Sequence, residues 1–170
     1  MSGRSSRPGA PEDPVAAAHT AALRLLTVRA RSRAEVEARL RRKGFDAGTV
    51  DAALERLERA GLLDDEAFAA DLAALRAERG VASALVRREL RARGIDPETA
   101  GRVAANPPGD EEAERCRALA DAWVRRHGGL APEVAARRLA GHLARRGYSA
   151  SLVARTVRAT IEIEVGLESD

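Results

Sequence analysis

Apolar residues recur along most of this chain at i, i+3, i+4 and i+7, the spacing of helices that bury one face. The stripe is clean in Val50, Ala53, Leu54 and Leu57, and again in Ala113, Cys116, Ala120, Trp123, Val124 and His127. It returns at Leu152, Val153, Val157 and Ile161. No stretch holds the two-residue alternation of a half-buried strand. One short pattern occurs three times: Leu40-Arg41-Arg42-Lys43-Gly44-Phe45-Asp46, Leu90-Arg91-Ala92-Arg93-Gly94-Ile95-Asp96 and Leu143-Ala144-Arg145-Arg146-Gly147-Tyr148-Ser149. A branched apolar residue stands four before each Leu, at Val36, Val86 and Leu139. Leu and its i−4 partner stack on one helix face. The base answers the helix dipole, Gly takes the left-handed conformation that ends the helix, and Asp or Ser caps the next. Each copy is a helix, a corner and a new helix start, repeated about every fifty residues.

Boundaries follow from caps and breakers. Residues 1–14, with three of the seven prolines, read as a disordered tail. Residues 15–61 form a first three-helix repeat, with Ser32 and Glu35 as a capping box and Asp46 as a cap. Residues 62–106 form a second, joined to the first through Gly61-Leu62-Leu63-Asp64-Asp65-Glu66, and its first helix is expected to bury Phe68, Leu72 and Leu75. Asn106-Pro107-Pro108-Gly109 is a break. Residues 110–163 form a third repeat, and 164–170 an acidic tail that frays. The fold class is therefore all-α, three tandem three-helix repeats in an elongated or curved array. A fifty-residue unit buries too little to stand comfortably alone, so each leans on its neighbour.

Composition sharpens this without changing it. Aromatics are 2% of residues, so Leu, Val and Ala build the core. The three windows 32–44, 82–94 and 131–147 each hold three more bases than acids, while the whole chain is only +3, so the remainder is acidic. Positive charge gathers on the repeated helices. The single Cys116 excludes an internal disulfide and reads as a small core residue, and no Cys/His pair has zinc spacing. His19, His127 and His142 lie in different helices, with no nucleophile elbow, phosphate loop or zinc-protease motif. His127, on an apolar stripe, reads as a satisfied buried or half-buried imidazole. Asp64, Asp65 and Glu66 read as helix caps, and no metal or other cofactor is expected. Without a signal segment or an apolar run of membrane length, a soluble cytoplasmic protein is expected.

Taking Val36 and Leu40 as inward at 100° per residue, Arg41 and Arg42 point away from the core. The same arithmetic exposes Arg88 and Arg91 in the second copy, and Arg137 and Arg145 in the third. Lys43, Arg93 and Arg146 point nearer the core and sit in the last turn, where the helix dipole accounts for them. Six outward arginines at related places suggest a shared surface for a polyanionic or acidic partner. Base-specific reading of DNA is disfavoured. The chain has no Gln and only one Asn, Asn106, so bidentate amide readout of adenine is missing.

The chain resembles the RecX family, regulators of the bacterial recombinase RecA. The resemblance is carried by Ala22-Leu23-Arg24-Leu25-Leu26 with Arg29, Ser32, Glu35 and Leu40, and above all by Gly61-Leu62-Leu63-Asp64-Asp65 with Phe68-Ala69 and Arg76. Val86-Arg87-Arg88-Glu89-Leu90, Gly94-Ile95, Leu143 and Arg146-Gly147-Tyr148 extend it over residues 15–163. It implies a non-enzymatic, monomeric protein that binds the groove of the RecA filament on single-stranded DNA. It would there restrain ATP hydrolysis, strand exchange, co-protease activity and filament growth. The alternative is a stand-alone, sequence-nonspecific DNA-binding helical protein, and weak direct DNA contact is compatible with either reading. Gly61, Leu62, Leu63, Asp64, Asp65, Phe68 and Arg76 are signature positions that local physics explains mainly as fold determinants.

Overall fold

The computed structural model describes residues 13–105 and 110–167, with side chains described over 13–105 and 111–162. The expected tail up to residue 12, the break at Asn106-Pro107-Pro108-Gly109 and the last three residues lie outside them. The described residues form nine helices and no strand. The first repeat holds α1 (Pro14–Leu26), α2 (Arg33–Arg42) and α3 (Ala47–Arg59). The second holds α4 (Asp65–Glu78), α5 (Ser83–Ala92) and α6 (Pro97–Ala104). The third holds α7 (Asp110–Arg126), α8 (Pro132–Arg145) and α9 (Ala150–Leu167).

The local signals act as their chemistry requires. Ser32 and Glu35 complete a capping box on α2. Asp46 and Asp96 accept the backbone N–H groups of Thr49 and Thr99. Gly44, Gly94 and Gly147 lie at φ +92°, +83° and +88°, the left-handed region that closes a helix. Two ends differ from expectation. Asp13 caps α1 and Pro14 opens it, so the helix begins inside the stretch read as tail, because Asp followed by Pro is itself a strong start. At the other end α9 runs to Leu167, into the stretch read as an acidic tail.

The chain forms two compact units that do not follow the repeats. One contains the described residues up to Phe68 together with Arg93–Ile95; the other contains Ala69–Ala92 and the described residues from Asp96 onward. In the first unit α1 lies along α3, and Ala22, Val36, Leu40, Val50, Leu54, Leu57 and Leu63 form the core. In the second, α7 lies along α9 and both meet α8, around Cys116, Ala120, Trp123, Leu139, Leu143, Tyr148 and Val153.

α4 departs from the expected pattern. Only Ala69 on it is buried; Phe68 and Leu72 are half-buried and Leu75 is exposed. α5 packs on α6, whereas α4 makes no comparable packing with either. It is tied to α5 by a bidentate pair in which Arg76 Nε and Nη2 each donate to Glu89 at 2.7 Å. The signature position Arg76 thus has a partner within the fold. Within the Gly61–Asp65 stretch Leu63 is buried and Leu62 is half exposed, at 52%, so only one of the two leucines closes the core.

Candidate binding surface on the repeated helices

The start of α2 and the start of α5 receive the same two-part joint, once in each unit. In the first unit the corner Arg93-Gly94-Ile95 sits on the first turn of α2. The Ser32 hydroxyl donates to the Arg93 carbonyl at 2.5 Å, and Asp65 accepts the Arg33 N–H at 2.7 Å. In the second unit the corner Arg146-Gly147-Tyr148 sits on the first turn of α5. The Ala82 N–H donates to the Arg146 carbonyl at 2.9 Å, and Glu112 accepts the Ser83 N–H at 2.8 Å. Counting from the corner glycines, Ser32 corresponds to Ala82 and Arg33 to Ser83. In each case a carboxylate from a later helix supplies the cap to an otherwise unpaired N–H at the helix start.

Gly is needed at these corners for more than its dihedral freedom. A Cβ on Gly94 would overlap that of Ala34, and one on Gly147 would lie 2.7 Å from the Leu85 Cβ, whereas one on Gly44 would meet nothing. Burial raises the Asp65 pKa above the ordinary carboxylate value, against the lowering effect of the Arg33 N–H. Glu35 moves the other way. Burial pushes it up, but hydrogen bonds from Arg29 and the Ser32 N–H, with Arg93 nearby, hold it below its usual value. Among the described residues α8 has no such joint. It begins four residues earlier relative to its corner than α2 or α5, so the matching positions Ala135 and Ala136 lie inside a helix.

These joints fix the inner residues and leave the outer ones to be sorted. All six arginines expected on the surface are exposed. Their surroundings divide them. Arg41 lies 3.6 Å from Glu37, and Arg42 Nε donates to the Ala38 carbonyl. Arg88, Arg91, Arg137 and Arg145 have no hydrogen-bond or ion-pair partner among the described residues. Arg87, which the helical arithmetic left out, is exposed and unpaired in the same way. It sits at the edge of the narrow Val86–Leu90 stripe, and its i+4 spacing to Arg91 was the signal available.

Two adjoining open depressions gather these bases within the second unit. One, of about 550 Å³, is lined by Arg87, Arg88 and Arg91 with Ala84 and Ala92. The other, of about 200 Å³, is lined by Arg88 and Arg145 with Ala84, Leu85, Ala144 and Gly147. Arg88 belongs to both, and neither lining includes an acid. Arg137 lines neither.

The bases assigned to the dipole are partly corrected. Arg93 and Arg146 are half-buried, but Lys43 is exposed. Arg93 pairs with Glu35 at 3.4 Å and lies over the Phe68 ring at 6.0 Å, while Arg146 Nη1 donates to the Arg79 carbonyl. His127 is exposed where a buried or half-buried ring was expected. It is nonetheless satisfied, stacked on Trp123 at 4.3 Å, with Nδ1 2.7 Å from the Trp123 carbonyl oxygen. Cys116 is fully buried. Among the described residues no group of three or more His, Cys, Asp or Glu side chains could hold a metal, and no helix is long and apolar enough to cross a membrane.

The chain matches the first, second and third three-helix domains of RecX over residues 18–57, 64–103 and 110–157. It is 42% identical to the regulatory protein RecX of Thermobifida fusca, over 99% of this chain and 92% of that one. It is 35% identical to the regulatory protein RecX of Streptomyces coelicolor, over 96% of this chain and 87% of that one. The crystal structure of RecX from Lactobacillus salivarius shares the fold, with a TM-score of 0.74 at 18% identity, over 88% of this chain and 98% of that one. With all three domains in order and sequence similarity along nearly its whole length, the chain belongs to the RecX family of regulatory proteins.

Proposed function

We propose that this chain, as a non-enzymatic RecX-family regulator of RecA, binds the RecA filament on single-stranded DNA and restrains it. Bound in the filament groove, it would slow ATP hydrolysis, strand exchange and co-protease activity and oppose filament growth. The observation that carries this reading is the set of unpaired, exposed arginines on α5 and α8 around depressions that no acid lines. A helix surface built only for solubility mixes charges and pairs them at i, i+4. Unpaired guanidinium groups at this density favour an oxyanion-rich partner. Arg41 and Arg42, already engaged within their own helix, would contribute less.

The test is RecA ATP hydrolysis on preformed filaments, with this protein added at concentrations where it does not bind free DNA. Inhibition that is lost when Arg88, Arg91 and Arg145 are reversed to Glu supports the reading. The rival, a stand-alone sequence-nonspecific DNA binder, rests on the same guanidinium groups and on the scarcity of amide side chains for base readout, with no Gln and Asn106 the one Asn. It prevails if bare DNA is bound as tightly as the filament.

A further inference from the structure

Arg88 and Arg145 come from different repeats yet line one depression of about 200 Å³. Their helices are brought together there by the joint at the start of α5. Glu112 holds the Ser83 N–H at 2.8 Å, the Arg146 carbonyl accepts the Ala82 N–H at 2.9 Å, and Gly147 passes Leu85 with no room for a Cβ. We infer that Arg88 and Arg145 act as a single phosphate clamp, and that Glu112 is the positioning residue that keeps its two halves in register.

Three observations support the clamp. First, the joint itself does not require these charges. The start of α2 carries a joint of the same construction, and the positions corresponding to Arg88 and Arg145 there are Ala38 and Ala92. Second, neither guanidinium has a partner among the described residues, although Arg145 is next in sequence to the Arg146 carbonyl of the joint and Arg88 is five residues after the capped Ser83 N–H. Third, the geometry suits phosphate better than carboxylate. One guanidinium satisfies a planar carboxylate bidentately, whereas a tetrahedral oxyanion has further oxygens to offer a second donor fork arriving from another helix. The ligand is then a backbone phosphate of a nucleic acid strand. The inference deepens the RecA–DNA filament reading by assigning a DNA contact within it.

The experiment is a double-mutant cycle on Arg88→Ala and Arg145→Ala, in the otherwise unaltered chain and in Glu112→Ala, with Glu112→Gln as the conservative variant. Two readouts are taken: inhibition of preformed RecA filaments, and binding of a short single-stranded oligonucleotide at low salt. For a clamp, each single substitution weakens both by about tenfold, and the double by little more, because losing either half releases the same phosphate. The oligonucleotide salt slope should fall by about 0.7 once and not twice. In Glu112→Ala the coupling vanishes, and in Glu112→Gln, which keeps the accepting oxygen, it survives. Should Glu112→Ala fail to fold, Gly147→Ala gives a second route to displacing the joint.

Independent losses that multiply to about a hundredfold in the double variant overturn the clamp, and coupling that persists in both joint variants overturns the positioning role. Coupling against the filament but not the oligonucleotide replaces phosphate with a carboxylate on RecA and overturns the assignment. If the unaltered chain does not inhibit RecA while the oligonucleotide cycle still couples, the RecA reading fails and the clamp stands.

Discussion

α2 and α5 hold the same place in successive repeats, end at the same glycine corner and receive the same joint, yet their outward charge is arranged in opposite ways. On α2 four of the six charges, Arg33, Glu35, Glu37 and Arg41, have a charged neighbour. Arg33 lies 3.7 Å from Glu37, 3.7 Å from Asp51 and 2.8 Å from Glu58; Arg41 also faces Glu37, and Glu35 sits between Arg29 and Arg93. On α5 the one acid, Glu89, is engaged by Arg76, and Arg87, Arg88 and Arg91 have no partner among the described residues. The lesson is that a base recurring in a repeat marks a position, not a role. Its role depends on whether the fold also supplies the counter-charge.

The comparison breaks most visibly at the corners. Gly44, Gly94 and Gly147 share a positive φ, but only the last two also touch a helix start. Gly94→Ala and Gly147→Ala should each cost about 2–4 kcal/mol, from a left-handed alanine plus overpacking at the joint. Gly44→Ala should cost about 1 kcal/mol, the left-handed term alone. Urea unfolding of the three variants measures this, and equal losses at all three would mean that the joints contribute nothing to stability.

Next in size is the functional asymmetry. Reversing Arg88 and Arg145 to Glu should weaken RecA inhibition by well over tenfold, while reversing Arg41 and Arg42 should weaken it by less. Both pairs are exposed, so unfolding free energies should stay within about 1 kcal/mol of the parent in the first pair, the loss coming chiefly from acid in the last turn of α8. The second pair should lose somewhat more, about 1 kcal/mol, because Glu at position 41 would face Glu37 and both changes place acid in the last turn of α2. A larger functional loss from the α2 pair would reverse the assignment of the surface.

Much of this architecture was legible in the sequence because its signals are local. Caps such as Ser32, Asp46 and Asp96, and the glycine corners, state their structure within four residues. What stayed hidden is long-range. Asp65 looks like one more acid at a helix start, and nothing within reach of it in sequence shows that it caps Arg33, thirty-two residues earlier. Periodicity also misplaced Phe68, Leu72 and Leu75, since an apolar stripe records which residues share a face but not whether another helix covers it. On the surface, Glu37 four residues before Arg41 was readable as a partner. The emptiness around Arg88 and Arg145 was not, because it depends on which side chains two separate helices bring to one place.

The smallest expected effect concerns acid, and it too should be confined to the α2 joint. Glu35 bonds Arg29 and the Ser32 N–H beside Arg93, and its counterpart on α5 is Leu85, which cannot titrate. Its carboxyl is held below the ordinary value of 4.5 in the folded chain, the lowering bonds outweighing burial. A depressed carboxylate contributes stability that is fully present above its unfolded pKa and is lost as pH falls through the folded one. Asp65, raised from 3.8 chiefly by burial, acts in the opposite sense, its unfavourable contribution growing as pH rises from 3.8 through its folded value. The two partly cancel in the parent chain. Glu35→Gln should therefore unmask Asp65: stability measured by denaturant unfolding should fall less on acidification below pH 4.5 than in the parent. Asp65→Asn should have the reverse effect and steepen the acid loss. Identical pH profiles for parent and both variants would show that neither carboxyl is coupled to folding and that the α2 joint is held by its corner alone.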